Sequence, residues 1–433
     1  MYRQKVTDMS ENACMDMKIA RDLYLNRLIA GRENGLIKVV TGIRRCGKSY
    51  LLFQLFYDYL LSQGVSRDHI IDVALDDLMN EQLREPHAML RYVREHLVDR
   101  DLHYVLLDEV QLIPQFHEVL NSLLHVRNVD VYVTGSNSRF LSRDVVTEFR
   151  GRSDQIHLYP LSFSEYIQGY GGDKSQAWKD YYTYGGLPHI LSLETEQKKA
   201  EYLKDLYETV YLVDIIERHR IRNKNEFDEL VRFIASIIGS PCNPTKLSNT
   251  FKSVKDVPLR RQSIDRYLTY MEDAFLVEKS IRYDIKGKKH INSLSKYYFS
   301  DLGIRNALLG FRQQEEGHIM ENIIYNELRV RGYHVDTGMV EQRTTDRSNR
   351  TIRRQFEVDF VANQGSKRYY IQSALMMPTQ EKQEQEVASL RRIDDSFKKI
   401  IVVKDDIMPK RDESGIVTMG VLDFLLNPDS VDY

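Results

Sequence analysis

Cysteine is scarce in this 433-residue chain: Cys14, Cys46 and Cys242 stand far apart. That spacing excludes a disulfide framework and a cysteine-based zinc site, and it fits a reducing compartment. Neither sign of charge is in excess. With 61 Lys and Arg against 63 Asp and Glu the net charge is −2. No global field therefore draws the chain to nucleic acid or membrane, and such binding needs a local patch. No apolar run approaches the length of a membrane span. Met1 to Lys18 mixes charged and polar residues and lacks the apolar core of a signal peptide. Internal repeats and low-complexity segments are missing as well. A cytoplasmic protein is the expectation. Hydrophobic residues make up 42% of the chain, enough for ordinary cores, and the length suits about two to four domains.

What is present is most informative at Gly42-Ile43-Arg44-Arg45-Cys46-Gly47-Lys48-Ser49. These residues fit G-x-x-x-x-G-K-[ST], the phosphate-binding loop. The context suits the motif. Leu36 to Thr41 is a short apolar, β-branched run that reads as a buried strand, and Tyr50 to Phe56 reads as a helix. Glycines let the backbone wrap an anion, and a helix N-terminus adds oriented N–H groups. Lys48 is expected to reach the β and γ phosphates, and the Ser49 hydroxyl to hold Mg²⁺. The nucleotide contacts expected are Gly42, Arg45, Cys46, Gly47, Lys48, Ser49 and Tyr50.

Ahead of the loop, Ile19 to Arg32 has apolar residues at helical spacing. After it, Ile70 to Leu75 reads as a strand and Pro86 to Val98 as a helix. Tyr104-Val105-Leu106-Leu107-Asp108-Glu109 is then an apolar strand ending in two acids, the form of a Walker B segment. Asp108 is expected to bind Mg²⁺ through water, and Glu109 to polarise the water that attacks the γ-phosphate. Val129 to Thr134 is a fourth strand, followed by Gly135-Ser136-Asn137-Ser138. Asn137 or Ser136 is expected to sense the γ-phosphate; a plain turn with Ser138 as helix cap is the alternative. Arg150 and Arg152 precede a fifth strand, Gln155 to Tyr159. Either a neighbouring subunit's nucleotide meets an arginine finger here, or the pair is simply solvated.

A helical lid begins at Pro160, and Tyr184-Gly185-Gly186-Leu187-Pro188 is a candidate hinge. Lys198 to Ile221 reads as one long helix. Residues 226–300 read as three small helices and a hairpin, the pattern of a winged helix. Between Lys279 and Lys296 there are six Lys or Arg against one Asp, which suits a DNA backbone or, equally, a solvated hairpin of a protein-binding module. The last region places Glu321 on a helix and Glu357 and Asp359 on one face of a strand, followed by the strand Arg368 to Ala374. This resembles the frame of a restriction-endonuclease-like core, in which carboxylates hold Mg²⁺ beside a lysine. The third element here reads Gln372-Ser373-Ala374, so one carboxylate is an amide and the lysine is missing. A neutral amide is a poor ligand for a hard cation, and a catalytically degenerate core is expected.

Taken as an ordered set, these motifs, with Leu161-Ser162-Phe163-Ser164-Glu165, Tyr207-Glu208-Thr209-Val210-Tyr211, Asp214-Ile215 and Glu321-Asn322, resemble a family of bacterial and archaeal AAA-like ATPases. That family carries a winged helix and a C-terminal restriction-endonuclease-like domain. The resemblance implies ATP as the nucleotide and favours Arg152 as the finger. The fold class expected is α/β: an AAA-like P-loop NTPase with a parallel sheet over 1–160, a helical lid and linker over 161–225, a winged helix over 226–312, and the endonuclease-like domain over 313–433. The function expected is an Mg²⁺-dependent ATPase whose nucleotide state moves the later domains against DNA or a protein partner, possible as a homo-oligomer and without a membrane. The alternatives are an ATP-dependent nuclease and a nucleotide-bound switch with negligible turnover.

Overall fold

The computed structural model describes residues 19–135, 151–254, 259–312, 315–345, 351–375 and 380–433. Ser136, Asn137, Ser138 and Arg150 lie outside the described residues. Helix α1 (Asp22–Ala30) precedes strand β1 (Ile37–Thr41), which ends at the glycine-rich loop. Helix α2 starts at Lys48–Tyr50, widens to π geometry over Leu51–Phe56 and ends with Tyr57–Ser62. Then come β2 (Ile70–Ala74), α3 (Pro86–Glu95), β3 (His103–Asp108), α4 (Phe116–Leu124), β4 (Val129–Gly135) and β5 (Ser153–His157).

These five strands form one parallel sheet in the order β2-β3-β4-β1-β5. The physical reason for a parallel sheet lies in the residues. All of β1 and β3 is buried, as a strand with helices on both faces must be. Alternate residues serve opposite faces. Ile37, Val39, Val105, Leu107, Val131 and Val133 pack with Met89, Val93, Leu120 and Leu123 of α3 and α4. Val40, Leu106, Tyr132 and Ile156 pack with Tyr24 and Leu28 of α1 and Leu52 and Phe56 of α2. Lys38 shares that second face, buried, with its ammonium paired to Asp130 and 4.7 Å from the Tyr132 ring centroid. Because all strands run one way, the residues after β1, β3 and β4 meet at one edge. Strand β4 stands between the phosphate-loop strand and the Asp108 strand, although in the chain it follows both.

Helices α5 (Phe163–Gln168) and α6 (Lys174–Tyr184) follow. Next comes a continuous helix, α7, running Glu196–Leu206, Tyr207–Tyr211 and Leu212–His219. Helices α8 (Lys224–Ser236), α9 (Pro244–Val254) and α10 (Arg261–Asp273) lead into the antiparallel hairpin β6 (Val277–Asp284) and β7 (Lys289–Phe299). After α11 (Leu302–Leu308) and α12 (Glu316–Val330) come β8 (His334–Thr345), β9 (Thr351–Gln364), β10 (Lys367–Ala374), α13 (Gln380–Arg391), β11 (Lys398–Val403), β12 (Lys410–Arg411), β13 (Val417–Gly420) and α14 (Val421–Leu426).

One arrangement differs from the expectation of a separate wing. The hairpin joins the C-terminal sheet, whose order is β12-β13-β11-β10-β9-β8-β6-β7. Strand β6 pairs in parallel with β8, Arg282 opposite Thr337. The expected boundary near 312 therefore falls within the span of one sheet. Sequence alternation reveals strands, but it cannot say which edge a hairpin will extend.

Candidate functional site

The glycine-rich loop leaves β1 under tight constraint. A Cβ on Gly42 would lie 2.2 Å from the Leu158 carbonyl oxygen, and its φ is +150°. Only glycine meets both conditions. Gly47 also has positive φ, at 101°. Lys48 is buried, and its Nζ donates to the carbonyls of Gly42 (3.1 Å) and Ile43 (3.2 Å). Ser49 and Tyr50 open α2 at the surface, and Arg45 is exposed at the loop tip. Cys46 is buried, with Sγ 3.4 Å from the Leu158 oxygen, and burial raises its thiol pKa.

The acid pair meets the loop as the strand order dictates. Ser49 Oγ donates to Asp108 Oδ2 at 2.7 Å. Thr134 Oγ1 donates to Asp108 Oδ1, and the Glu109 N–H donates to Thr134 Oγ1 at 3.0 Å. Burial raises the Asp108 pKa against the lowering effect of the Thr134 and Ser49 hydroxyls. A bound cation would reverse that trend. Glu109 is half-buried, with φ of +52° and a hydrogen bond from Gln111. A hydroxyl, a carboxylate and a lysine thus stand at one sheet edge, where open α/β sheets bind ligands. Ser49 and Asp108 are hard oxygen donors that fit Mg²⁺.

Arg152 lies elsewhere. Its carbonyl accepts from the Ile37 N–H at 2.9 Å, so it precedes β5 at the edge opposite the phosphate loop. It is exposed there and does not serve this chain's own loop.

Several residues that tie the loop to later helices have no local sequence signal. The buried Arg21 donates to the Cys46 carbonyl (3.2 Å) and the Tyr159 carbonyl (2.7 Å) and pairs with Glu165 (3.0 Å). Glu165 also closes a capping box with Ser162 at the start of α5, which explains the Ser-Phe-Ser-Glu stretch. On the other side of the loop, Arg44 pairs with Asp214 and its carbonyl accepts from Tyr211 Oη at 2.6 Å. Gly185 and Gly186, read from sequence as a candidate hinge, lie against Asp301. The buried Asp301 accepts from the Gly186 N–H at 2.8 Å and the Ile304 N–H at 3.0 Å. Burial pushes Asp301 up to about 6 despite those bonds.

The second candidate site lies in the C-terminal sheet. Glu321 on α12 and Asp359 on β9 are brought together, with the Gln372 Oε1 accepting from the Asp359 N–H at 3.3 Å. Lys296 of β7 stands among the acids. Its Nζ lies 2.8 Å from Glu321, 2.8 Å from Glu357 and 3.6 Å from Asp359. These acids raise its pKa against desolvation. Burial, with the charge of Glu321, pushes Asp359 up to about 7. Burial would also raise Glu321, but Lys296, His318 and Tyr298 hold it below the usual range. Of the six basic residues expected on the hairpin, Lys296 therefore faces inward; Lys279, Lys286, Lys288 and Lys289 are exposed.

Comparison with known proteins adds family information. A family model described as "AAA domain" matches residues 34–167, and one described as "Domain of unknown function (DUF8612)" matches 175–315. An uncharacterized protein of Haemophilus influenzae is 30% identical over 414 residues, covering 94% of this chain and 98% of that protein. An uncharacterized protein of Methanocaldococcus jannaschii is 28% identical over 377 residues, covering 83% of this chain and 78% of its own. Among solved structures, the Walker-type ATPase Paby2304 of Pyrococcus abyssi is similar with a TM-score of 0.48 at 15% identity, covering 69% of this chain and 97% of that one. Among the described residues, no helix is long and apolar enough to cross a membrane.

Proposed function

We propose a function from one premise: this chain belongs to the same family as the Haemophilus influenzae protein and carries an AAA-type P-loop ATPase domain. The reading is an Mg²⁺-dependent ATP hydrolase that passes its nucleotide state to the later helices and the C-terminal sheet. The single observation behind it is the contact of Ser49 Oγ with Asp108 at 2.7 Å, beside the buried Lys48. It puts the loop hydroxyl and the strand-end acid together at one sheet edge, which supports a phosphate and cation site there.

Each residue then has a task. Lys48 leaves the carbonyls of Gly42 and Ile43 and neutralises phosphate charge. Ser49 would hold Mg²⁺ directly and Asp108 through water, and the bound ion would offset charge on the phosphate oxygens. Glu109 orients the attacking water and accepts its proton. Asn137 contacts the γ-phosphate, and Arg152 completes the site of a neighbouring copy. The adenine nucleotide is part of the proposal.

For the output, residues 161–225 act as lid and linker, and α8, α9, α10 and the hairpin act as a winged-helix module. The exposed Lys279, Lys286, Lys288 and Lys289 favour a polyanionic partner such as a DNA backbone. The test is phosphate release from Mg-ATP by wild type and Lys48→Ala, with and without duplex DNA. Turnover by wild type alone, faster with DNA, supports the reading. Nucleotide binding without phosphate release under any condition would turn it into a switch that answers to a protein partner.

A further inference from the structure

The fold to which the C-terminal sheet was likened uses its carboxylates to hold a divalent metal. The residues present do not fit that use. The centre of the cluster is taken by the Lys296 ammonium, in contact with Glu321 and Glu357 at 2.8 Å each and 3.6 Å from Asp359. Magnesium binds oxygen at about 2.0–2.1 Å in a near-ideal octahedron and keeps several waters. An ammonium and such an ion cannot share this volume.

The remaining donors are also engaged. Tyr298 Oη donates to Glu321 Oε1 at 2.7 Å, and the Ser373 N–H donates to Asp359 Oδ2 at 2.8 Å. The amide oxygen of Gln372 faces the Asp359 N–H rather than the acids. Gly239 faces the outer oxygen of Glu321, where an added Cβ would lie 3.0 Å from Oε2. His318 Nδ1 lies 3.7 Å from the same oxygen. Side-chain exposure is 4% for Lys296, 9% for Glu321 and 10% for Asp359; Glu357, at 32%, is the open edge. Little room remains for the waters a metal would carry.

The lysine's place is set by the sheet and not by chance rotation. Lys296 lies opposite Ser280 of β6. Lys296 and Tyr298 are two residues apart on β7 and so face one side, and both reach Glu321. Breaking such a buried pair leaves uncompensated charge.

We infer that this cluster is a cation site whose resident cation is the Lys296 ammonium in place of a divalent metal, and that the bond fastens the 277–299 hairpin to α12 and β9. The C-terminal sheet is then a metal-independent module, and a load on the exposed hairpin lysines is carried straight into it. The inference does not rest on ATP hydrolysis.

The experiment is a nucleotide-free Mn²⁺ titration of the full chain, followed by electron paramagnetic resonance. Wild type and Asp359→Asn should give the same free-Mn²⁺ curve. Lys296→Ala should gain one site, at least tenfold tighter than any in wild type, which Lys296→Ala/Asp359→Asn loses. Added Mn²⁺ should raise the melting temperature of Lys296→Ala more than that of wild type or of Lys296→Ala/Asp359→Asn. A wild-type Mn²⁺ site that Asp359→Asn abolishes would overturn the inference. So would a folded Lys296→Ala that gains none. If Lys296→Ala does not fold, wild type against Asp359→Asn decides alone: identical curves support an occupied site, and a difference refutes it.

Discussion

Arg44 of the phosphate loop and Asp214 of helix α7 are joined by an ion pair of 3.0 Å, and the Arg44 carbonyl accepts from Tyr211 one turn earlier. The loop that would meet nucleotide is thus braced by a helix that lies beyond the AAA-matched residues 34–167. Asp214 also pairs with Arg218, which holds its carboxylate in place. Arg44 is partly exposed, so the ion pair alone is worth less than about 1 kcal/mol. The neutral bond from Tyr211 adds about 1 kcal/mol. Tyr211→Phe with Asp214→Ala should weaken binding of a fluorescent ATP analogue about threefold to tenfold. Unchanged affinity in the double variant would remove the brace from the mechanism.

Lys48→Ala and Glu109→Gln should fail differently. In the proposed mechanism Lys48 contacts phosphate in both ground and transition states, so its loss should abolish nucleotide binding and turnover together. Glu109 is assigned there to the attacking water alone. Glu109→Gln should keep nucleotide affinity and lower phosphate release about 100-fold or more. Equilibrium binding and single-turnover phosphate release, measured on the same preparations, separate the two.

Arg152 stands at the sheet edge away from its own phosphate loop, so any catalytic use requires a second copy. Arg152→Ala should lower hydrolysis at concentrations where the chain self-associates. Mixing it with Lys48→Ala should restore part of the rate, since the Lys48→Ala copies would supply the arginine. If the mixture is no faster than the sum of its parts, Arg152 serves no neighbour's site.

Gly42→Ala should cost at least about 2 kcal/mol, because its Cβ would collide with the Leu158 carbonyl at a φ hostile to other residues. A urea melt should show a lower midpoint. Gly415→Ala provides a control, because its Cβ would meet nothing within 4 Å although its φ is also positive.

His157 sets an acid limit. It packs against Tyr159 and Phe275, with Thr41 Oγ1 3.2 Å from Nδ1. Burial lowers its pKa to about 4 from the usual 6.5. Between those values the unfolded chain holds the proton and the folded chain does not. Stability from this group is therefore full above pH 6.5 and is lost as pH falls toward 4. The melting temperature of His157→Gln should fall less steeply across that window than wild type. Parallel slopes would assign the acid sensitivity to other groups.

Local chemistry was legible without a structure. The loop from Gly42 to Ser49 needs two glycines, a lysine and a hydroxyl at fixed spacing, because phosphate binding is a short-range problem. Strands β1 to β4 betray themselves by mostly apolar runs, since both faces of a parallel sheet are covered; β5, Ser-Asp-Gln-Ile-His at the sheet's edge, carries no such run. The amide at Gln372 and the alanine at Ala374 were visible as departures. The helices of 224–273 and the hairpin after them follow from periodicity and turn residues.

What tertiary structure alone decided is which distant residues meet. Arg44 and Asp214 stand 170 residues apart in sequence, and neither has a neighbour in sequence that announces the pair. Lys296 reads in sequence as one more cation of a basic hairpin. Only the pairing of β6 with β8 turns it toward Glu321, Glu357 and Asp359. Strand alternation says which residues share a face, but the edge at which a strand joins its sheet depends on contacts made across the whole chain. The sequence determined the nucleotide chemistry; the sheet order decided where its braces lie and which charge fills the second site.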